Sequence, residues 1–338
     1  MKKRLVCLLL LVMGLATVQA QDVSSHKSQL EKKIMNTVIS QNKEKLQFFQ
    51  AILDNDMQTI EAVLASPQQR HFVNATLTRN HALDFLHNGK RYGLPAWGNG
   101  ASRTPLMLAA EVGSVEAVKK LLRAGAAVNT VRNENWTALC FATNGSALES
   151  DNRFELEQIL AGKQNQTRGQ RQAELVEALL KYGADPAQAC GDEGREVSPL
   201  YMAVEEPEYV DIVKMLGKVL KKKEELDSFV GPMNDNPLGH AVWAGNKAAM
   251  EALLDLGANP NGNYSPSNQS VVTPAFQAIY SNQKGMLETL IKKGGCACAY
   301  YNTPEHQWTF AVDEANRLGY DDIVTYLRNH DYGSASGN

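Results

Sequence analysis

The segment Thr104-Pro-Leu-Met-Leu-Ala-Ala-Glu-Val-Gly-Ser-Val-Glu-Ala-Val-Lys-Lys-Leu-Leu-Arg-Ala-Gly-Ala-Ala-Val-Asn129 constrains the fold more than any other stretch of this 338-residue chain. Thr104 can cap a helix whose first position is Pro105, where the missing N–H has no intrahelical bond to lose. Leu106, Leu108 and Ala109 then supply an apolar face. Gly113 permits a turn into a second helix, on which Val115, Val118, Leu121 and Leu122 recur at helical spacing before Gly125 stops it. Neither short helix can bury its stripe alone, so the pair predicts further pairs stacked on it.

Such pairs recur along the chain. Thr137 follows Thr104 by 33 residues and opens Thr137-Ala-Leu-Cys-Phe-Ala142, a unit that Leu175 to Pro186 closes after an insertion. Ser198-Pro-Leu-Tyr-Met-Ala203 with Asp211 to Leu216 makes a third unit, and Asn236-Pro-Leu-Gly-His-Ala-Val-Trp-Ala-Gly245 with Met250 to Asn261 a fourth. Thr273-Pro-Ala-Phe-Gln-Ala278 with Leu287 to Ile291 and Gly294 makes a fifth. Leu46 to Leu64 and Ala315 to Leu327 repeat the helix pair without Thr-Pro, as terminal units with a polar outer face must.

The unit resembles the ankyrin repeat, which carries Thr-Pro-Leu-His, Ala-Ala, Gly, Val, Leu-Leu and Gly-Ala at these offsets. The resemblance covers roughly residues 43 to 330 and implies an all-α chain: an ankyrin-repeat solenoid of stacked helix-turn-helix units with β-hairpin or loop fingers, about seven units. It also implies a surface for binding another protein rather than a deep catalytic pocket.

Residues 1–20 are of another kind. Lys2-Lys3-Arg4 precedes an apolar run from Leu5 to Leu15, and Val18-Gln19-Ala20 offers small residues for cleavage after Ala20. This reads as a secretory signal peptide, too short for a comfortable membrane span, with a retained anchor as the alternative. The short basic start reads as bacterial, so the mature chain is expected to be soluble and periplasmic or secreted, without membrane insertion. Loss of the leader's three basic residues takes the net charge from −3 to −6, which argues against nucleic acid as a partner. A partly helical segment is expected at 21–42, and a disordered tail at 331–338.

Four cysteines remain after cleavage. Repeat geometry puts Cys140 on the first helix of the second unit and Cys190 in the finger after it, with Cys296 and Cys298 in the finger after the fifth. Stacked helices lie about 8–10 Å apart, so the two groups are separated by roughly 25 to 30 Å, beyond the ~7 Å reach of a disulfide. The remaining candidates are Cys140 with Cys190 and Cys296 with Cys298. The other reading of Cys140 is a small buried apolar residue where the ankyrin pattern has His.

Two stretches break the period. Ile60 to Val118 and Val118 to Val176 each span 58 residues. The first insertion, near 74–103, contains Phe85, Leu86, Tyr92, Leu94 and Trp97 and predicts a hairpin or short helix folded on the stack. The second, near 144–170, predicts one extra helix over Phe154 to Leu160, then a mobile polar run from Gly162 to Gln170.

Catalytic signatures are missing from the sequence. The seven histidines make no His-Glu-x-x-His, and there is neither a Gly-x-Ser-x-Gly elbow nor a phosphate-binding glycine loop. Cys296-x-Cys298 with His306 lacks a fourth metal ligand, and Glu205-Glu206 read as a solvated repeat edge. No enzyme activity, metal or cofactor is therefore expected, and the chain is expected to be monomeric. In ankyrin proteins partners lie along the concave face formed by the fingers and the exposed ends of the first helices. The matching positions here are Glu111, Val112, Glu205, Glu206, Trp243, Tyr280 and Arg317 on the helices, with Arg103, Asn133, Glu134, Trp136 and Met233 at the fingers. Trp243 and Tyr280 occupy equivalent places on successive units, where aromatic residues that do not support the fold act as interface anchors.

Overall fold

The computed structural model describes residues 43–78, 84–87, 90–93, 102–132, 135–144, 166–191, 196–222, 225–227, 236–262, 272–297, 300–302 and 307–330. The leader at 1–20, the 21–42 segment, the extra helix at 154–160, Asn133, Glu134, Met233, Cys298, His306 and the 331–338 tail lie outside the described residues. The chain divides into two units, Met1–Phe49 and Gln50–Asn338. Of the first, residues 43–49 are helical, with Phe48 and Phe49 buried and their rings edge-on at 6.4 Å.

The second unit is a row of short helix pairs. Each first helix begins with the same local device. The side chains of Thr104, Thr137, Ser198, Asn236 and Thr273 accept the backbone N–H three residues on, from Met107, Cys140, Tyr201, Gly239 and Phe276, at 2.9–3.3 Å. A proline follows the cap in four of the five, at Pro105, Pro199, Pro237 and Pro274. These caps satisfy N–H groups that the helix itself cannot, and they start Pro105–Glu111, Ala138–Thr143, Pro199–Ala203, Pro237–Trp243 and Pro274–Tyr280.

A left-handed residue then reverses the chain. Gly113 has φ +77° and Gly245 φ +69°, and the turn after the fifth unit's first helix uses Asn282 at φ +54°. Glycine and asparagine are the residues that enter this region at least cost. The second helices follow: Val115–Arg123, Arg168–Lys181, Val210–Lys222, Lys247–Leu256 and Lys284–Lys292. In Val115–Arg123 the buried residues are Val115, Ala117, Val118, Leu121 and Leu122, the stripe expected from the spacing. Each leucine so buried stabilises by roughly 1.5–3 kcal/mol.

First helices pack on first helices along the row, from Pro105–Glu111 through Ala138–Thr143 and Pro199–Ala203 to Pro237–Trp243, Pro274–Tyr280 and Ala311–Leu318. Second helices form a parallel row from Met57–Ala65 through Val115–Arg123, Arg168–Lys181 and Val210–Lys222 to Lys247–Leu256. Asparagines link successive units through their backbones. Asn74 donates to the Gly125 carbonyl and accepts from Ala127 N–H, at 3.2 and 2.8 Å. Asn261 takes the N–H of Cys296 at 2.7 Å.

The first insertion is a hairpin in its backbone. Asp84–His87 pairs antiparallel with Lys90–Gly93, and Leu77–Thr78 pairs with Ser102–Arg103. The second insertion ends earlier than its composition predicts. Thr167 caps a 14-residue helix that begins at Arg168, so the end of the supposedly mobile run is ordered. A polar sequence forms a helix here because one face is used: Arg171 and Gln172 are buried, and Gly169 approaches the Glu208 backbone.

Candidate interaction face

The ends of the first helices, where the sequence places the interaction face, differ in exposure from unit to unit. At the first unit the expectation is corrected. Arg103, Glu111 and Val112 are all buried, and Arg103 Nε bonds Glu111 Oε2 at 3.1 Å with the guanidinium 4.2 Å above the Phe141 ring. A charged pair can be enclosed when each partner neutralises the other and an aromatic face meets the cation. These residues join the first unit to the second and do not offer a binding surface.

Trp136 is likewise committed to the fold. It is partly buried, its ring lies 4.9 Å from that of Phe141, and with Val197 it packs on the core formed by Cys140, Cys190 and Met202. Cys140 and Cys190 form a disulfide with Cα atoms 6.0 Å apart, and both are fully buried. The finger around it is tied by reciprocal backbone bonds between Cys190 and Val197, at 2.8 and 2.7 Å. Cys296 is also disulfide-bonded, and Cys298, the partner expected for it, lies outside the described residues.

The third to fifth units are different. Trp243, the last residue of its helix, is 45% exposed, the largest value among the large hydrophobic residues described as exposed. It stands at the outer end of a stack. The buried Tyr201 ring lies 3.9 Å from His240 at 19°, and the His240 ring lies 5.2 Å from Trp243 at 16°. His240 is a core histidine, as its position on the helix suggests, and it also joins two units: Nε2 lies 2.7 Å from Oε1 of the half-exposed Glu205. Tyr280 is at the matching end of the next first helix, partly buried beside Phe276.

The other two candidates are engaged within the chain. Arg168 Nη1 holds Glu206 at 3.3 Å and Glu208 at 3.0 Å, and its guanidinium carbon is 5.1 Å from the Tyr209 ring. Arg317, exposed at its tip, grips Glu314 through Nε and Nη2 at 2.9 and 2.6 Å. Of the candidate positions, Trp243 and Glu205 are thus open to solvent and Tyr280 partly so. Tyr201 and Arg168 pack around these positions without having been singled out from sequence, whereas His240 is the packed core histidine its helix position implies. Trp243, three residues after His240 on the same helix, was the available signal, and only for the outer pair of the ring stack.

On the side formed by the second helices, Lys119 pairs with Glu174, and the hydrogen bond from its ammonium holds the Glu174 carboxyl below its usual range. Lys119, Arg123, Glu177, Lys181 and Tyr182 line the same open depression. Among the described residues, no group of three or more His, Cys, Asp or Glu side chains is placed to hold a metal, and no helix is long and apolar enough to cross a membrane.

A family model for ankyrin repeats, in three copies, matches residues 49–150. Residues 49–150 are thus ankyrin repeats, and the fold is an all-α solenoid of the ankyrin type. The capped first helix and buried second-helix stripe recur beyond the matched region through the fifth unit, with left-handed turns at Gly245 and Asn282, so the solenoid continues past it. No curated protein matches the chain. Among solved structures it is similar to the human ASB11 ankyrin repeat domain, covering 70% of this chain and 86% of that one at 19% identity and a TM-score of 0.46. Ankyrin repeats form a protein-interaction module, and such domains are in general binding modules rather than enzymes.

Proposed function

We propose that this ankyrin-type solenoid acts without catalysis in the bacterial periplasm, where the face around Trp243 and Tyr280 binds another protein. The exposed indole of Trp243 carries the reading, because it leaves apolar surface open on an otherwise well-packed row of helices. The buried Cys140–Cys190 disulfide supports export, since such bonds persist in oxidising compartments, and it agrees with the signal-peptide reading of residues 1–20. The outcome we assign to binding is neutralisation of an envelope-targeted toxin, as an immunity protein. A compact, acidic, exported binder suits that role.

A second reading, support of an envelope-maintenance or oxidative-stress enzyme, is favoured by the same disulfide. Capture from envelope extract separates a real face from a passive one. The wild type is compared with a Trp243→Ala, Tyr280→Ala double variant and with a Lys181→Ala, Tyr182→Ala variant on the second-helix side. We expect partners lost from the first variant and kept by the second. An unchanged partner set in both would overturn the reading. The identity of the captured protein, toxin or redox enzyme, decides between the two roles.

A further inference from the structure

We propose that the face around Trp243 takes a basic segment of its partner, with an arginine stem lying along the indole and its guanidinium donating to Glu205. This rests on the reading of that face as the interaction surface, and it specifies the chemistry of the partner. Three observations carry it. The first is the ring stack Tyr201–His240–Trp243, whose two inner rings are buried and whose outer one is open, so that the indole is held in a fixed plane.

The second is Glu205. His240 occupies Oε1 at 2.7 Å, while Oε2 takes no hydrogen bond or ion pair among the described residues, and the side chain is 52% exposed. The carboxylate is thus held by one oxygen with the other available as an acceptor, and it shares the His240 ring as a neighbour with the open indole. An apolar partner covering Trp243 would strip water from that oxygen without replacing it, at a cost in binding. A cation replaces the water with a charge-assisted hydrogen bond.

The third is local charge. Glu206 and Glu208 follow Glu205 on the same turn, and Arg168 is the cation bound to both of them. Three carboxylates are thus gathered within four residues on a chain of net charge −3, which favours a basic partner segment over an acidic one. Arginine fits better than lysine because its planar guanidinium can stack on an aromatic face while donating along a fork to a carboxylate.

The test uses the full chain labelled with 5-fluorotryptophan, whose four tryptophan signals are resolved by fluorine NMR and assigned for Trp243 with a Trp243→Phe variant. The probe is a short Gly-Arg repeat peptide, compared with the same peptide carrying citrulline, which keeps the shape and loses the charge, and with a Gly-Lys peptide. We expect a saturable shift of the Trp243 signal with arginine, none with citrulline, and a weaker response to lysine. In Glu205→Gln, which keeps an oxygen for His240, about tenfold more arginine peptide should be needed, as for loss of one charge-assisted bond. The other three signals report that the fold is intact. An equal shift from the citrulline peptide, or an unchanged titration in Glu205→Gln, overturns the arginine assignment while leaving the face itself standing. No Trp243 shift with any peptide also overturns it, and the capture experiment above then decides the face independently.

Discussion

Asn129 donates its side-chain amide to the carbonyl oxygen of Gly183 at 2.8 Å and accepts the backbone N–H of Asp185 on its own oxygen at 2.9 Å. One side chain thereby satisfies a donor and an acceptor in the loop of the next unit, 54 and 56 residues away in sequence. Asn74 does the same for Gly125 and Ala127. In a row of units that touch only their neighbours, stability depends on each interface, so such rungs count individually. Asn129→Ala is expected to lower stability by about 1–2 kcal/mol, and Asn129→Asp, which keeps the acceptor, by less. Urea denaturation of the two variants measures both.

Asp227 stands where an asparagine rung would serve the fourth unit. Its Oδ2 accepts the N–H of Asn259 at 3.0 Å, and its Oδ1 lies 3.4 Å from Asn236 Nδ2. Burial raises its carboxyl above the usual value, with the Asn259 N–H pulling in the opposite direction. A folded-state value raised above the unfolded one means the folded chain holds the proton more tightly, so the contribution is fully present below the unfolded value and is lost as pH rises through the folded one. Asp227→Asn should therefore stabilise the chain at neutral pH, where the charge is removed and an amide donor is gained. The gain should shrink as pH falls and the raised carboxyl takes up its proton. Denaturation at neutral and at acid pH checks the sign.

The Cys140–Cys190 bond closes a loop across 50 residues that includes the second insertion. Loop-closure entropy for that length gives about 4 kcal/mol of stabilisation. Both sulfurs are buried, so mild reductant should leave the folded chain oxidised, while reduction under denaturing conditions should lower the unfolding midpoint on refolding. A Cys140→Ala, Cys190→Ala variant gives the same loss without redox chemistry. An unchanged midpoint would show that the bond adds nothing to the second unit.

Gly169 marks where the helix after the second insertion meets the third unit. A Cβ there would lie 2.5 Å from the Glu208 backbone oxygen, which cannot move aside as a side-chain tip could. Gly169→Ala should cost about 1–3 kcal/mol despite alanine's better helix propensity, the clash winning over the gain of about 1 kcal/mol. A Gly285→Ala variant, where nothing lies within 4 Å, is the control and should be neutral or stabilising.

Much of this architecture was legible because its determinants are local. Thr104 and Met107, or Asn236 and Gly239, are three residues apart, so the cap can be read from adjacent letters, and the left-handed turns announce themselves as Gly113 and Gly245. The burial of Arg103 and Glu111 was not legible, because it depends on Phe141 arriving from the next unit. The link from His240 to Glu205 crosses 35 residues, and no spacing rule within a single unit points to it. Arg168 was hidden by composition: a run of Gln, Asn and Gly reads as loop until Glu206 and Glu208 are seen to receive it. The Asn129 and Asn261 rungs had a faint signal, since each lies four residues after the glycine that ends a second helix.

The central claim is that partner protein meets this solenoid at the outer ring of the Tyr201–His240–Trp243 stack. Its most direct test is site-specific photo-cross-linking in intact cells, with benzoylphenylalanine in place of Trp243 and, separately, in place of Tyr182, which is 44% exposed at the C-terminal cap of a second helix. The account predicts a discrete cross-linked protein from position 243 that is absent from position 182. No adduct at 243, or the same adducts from both positions, would contradict it.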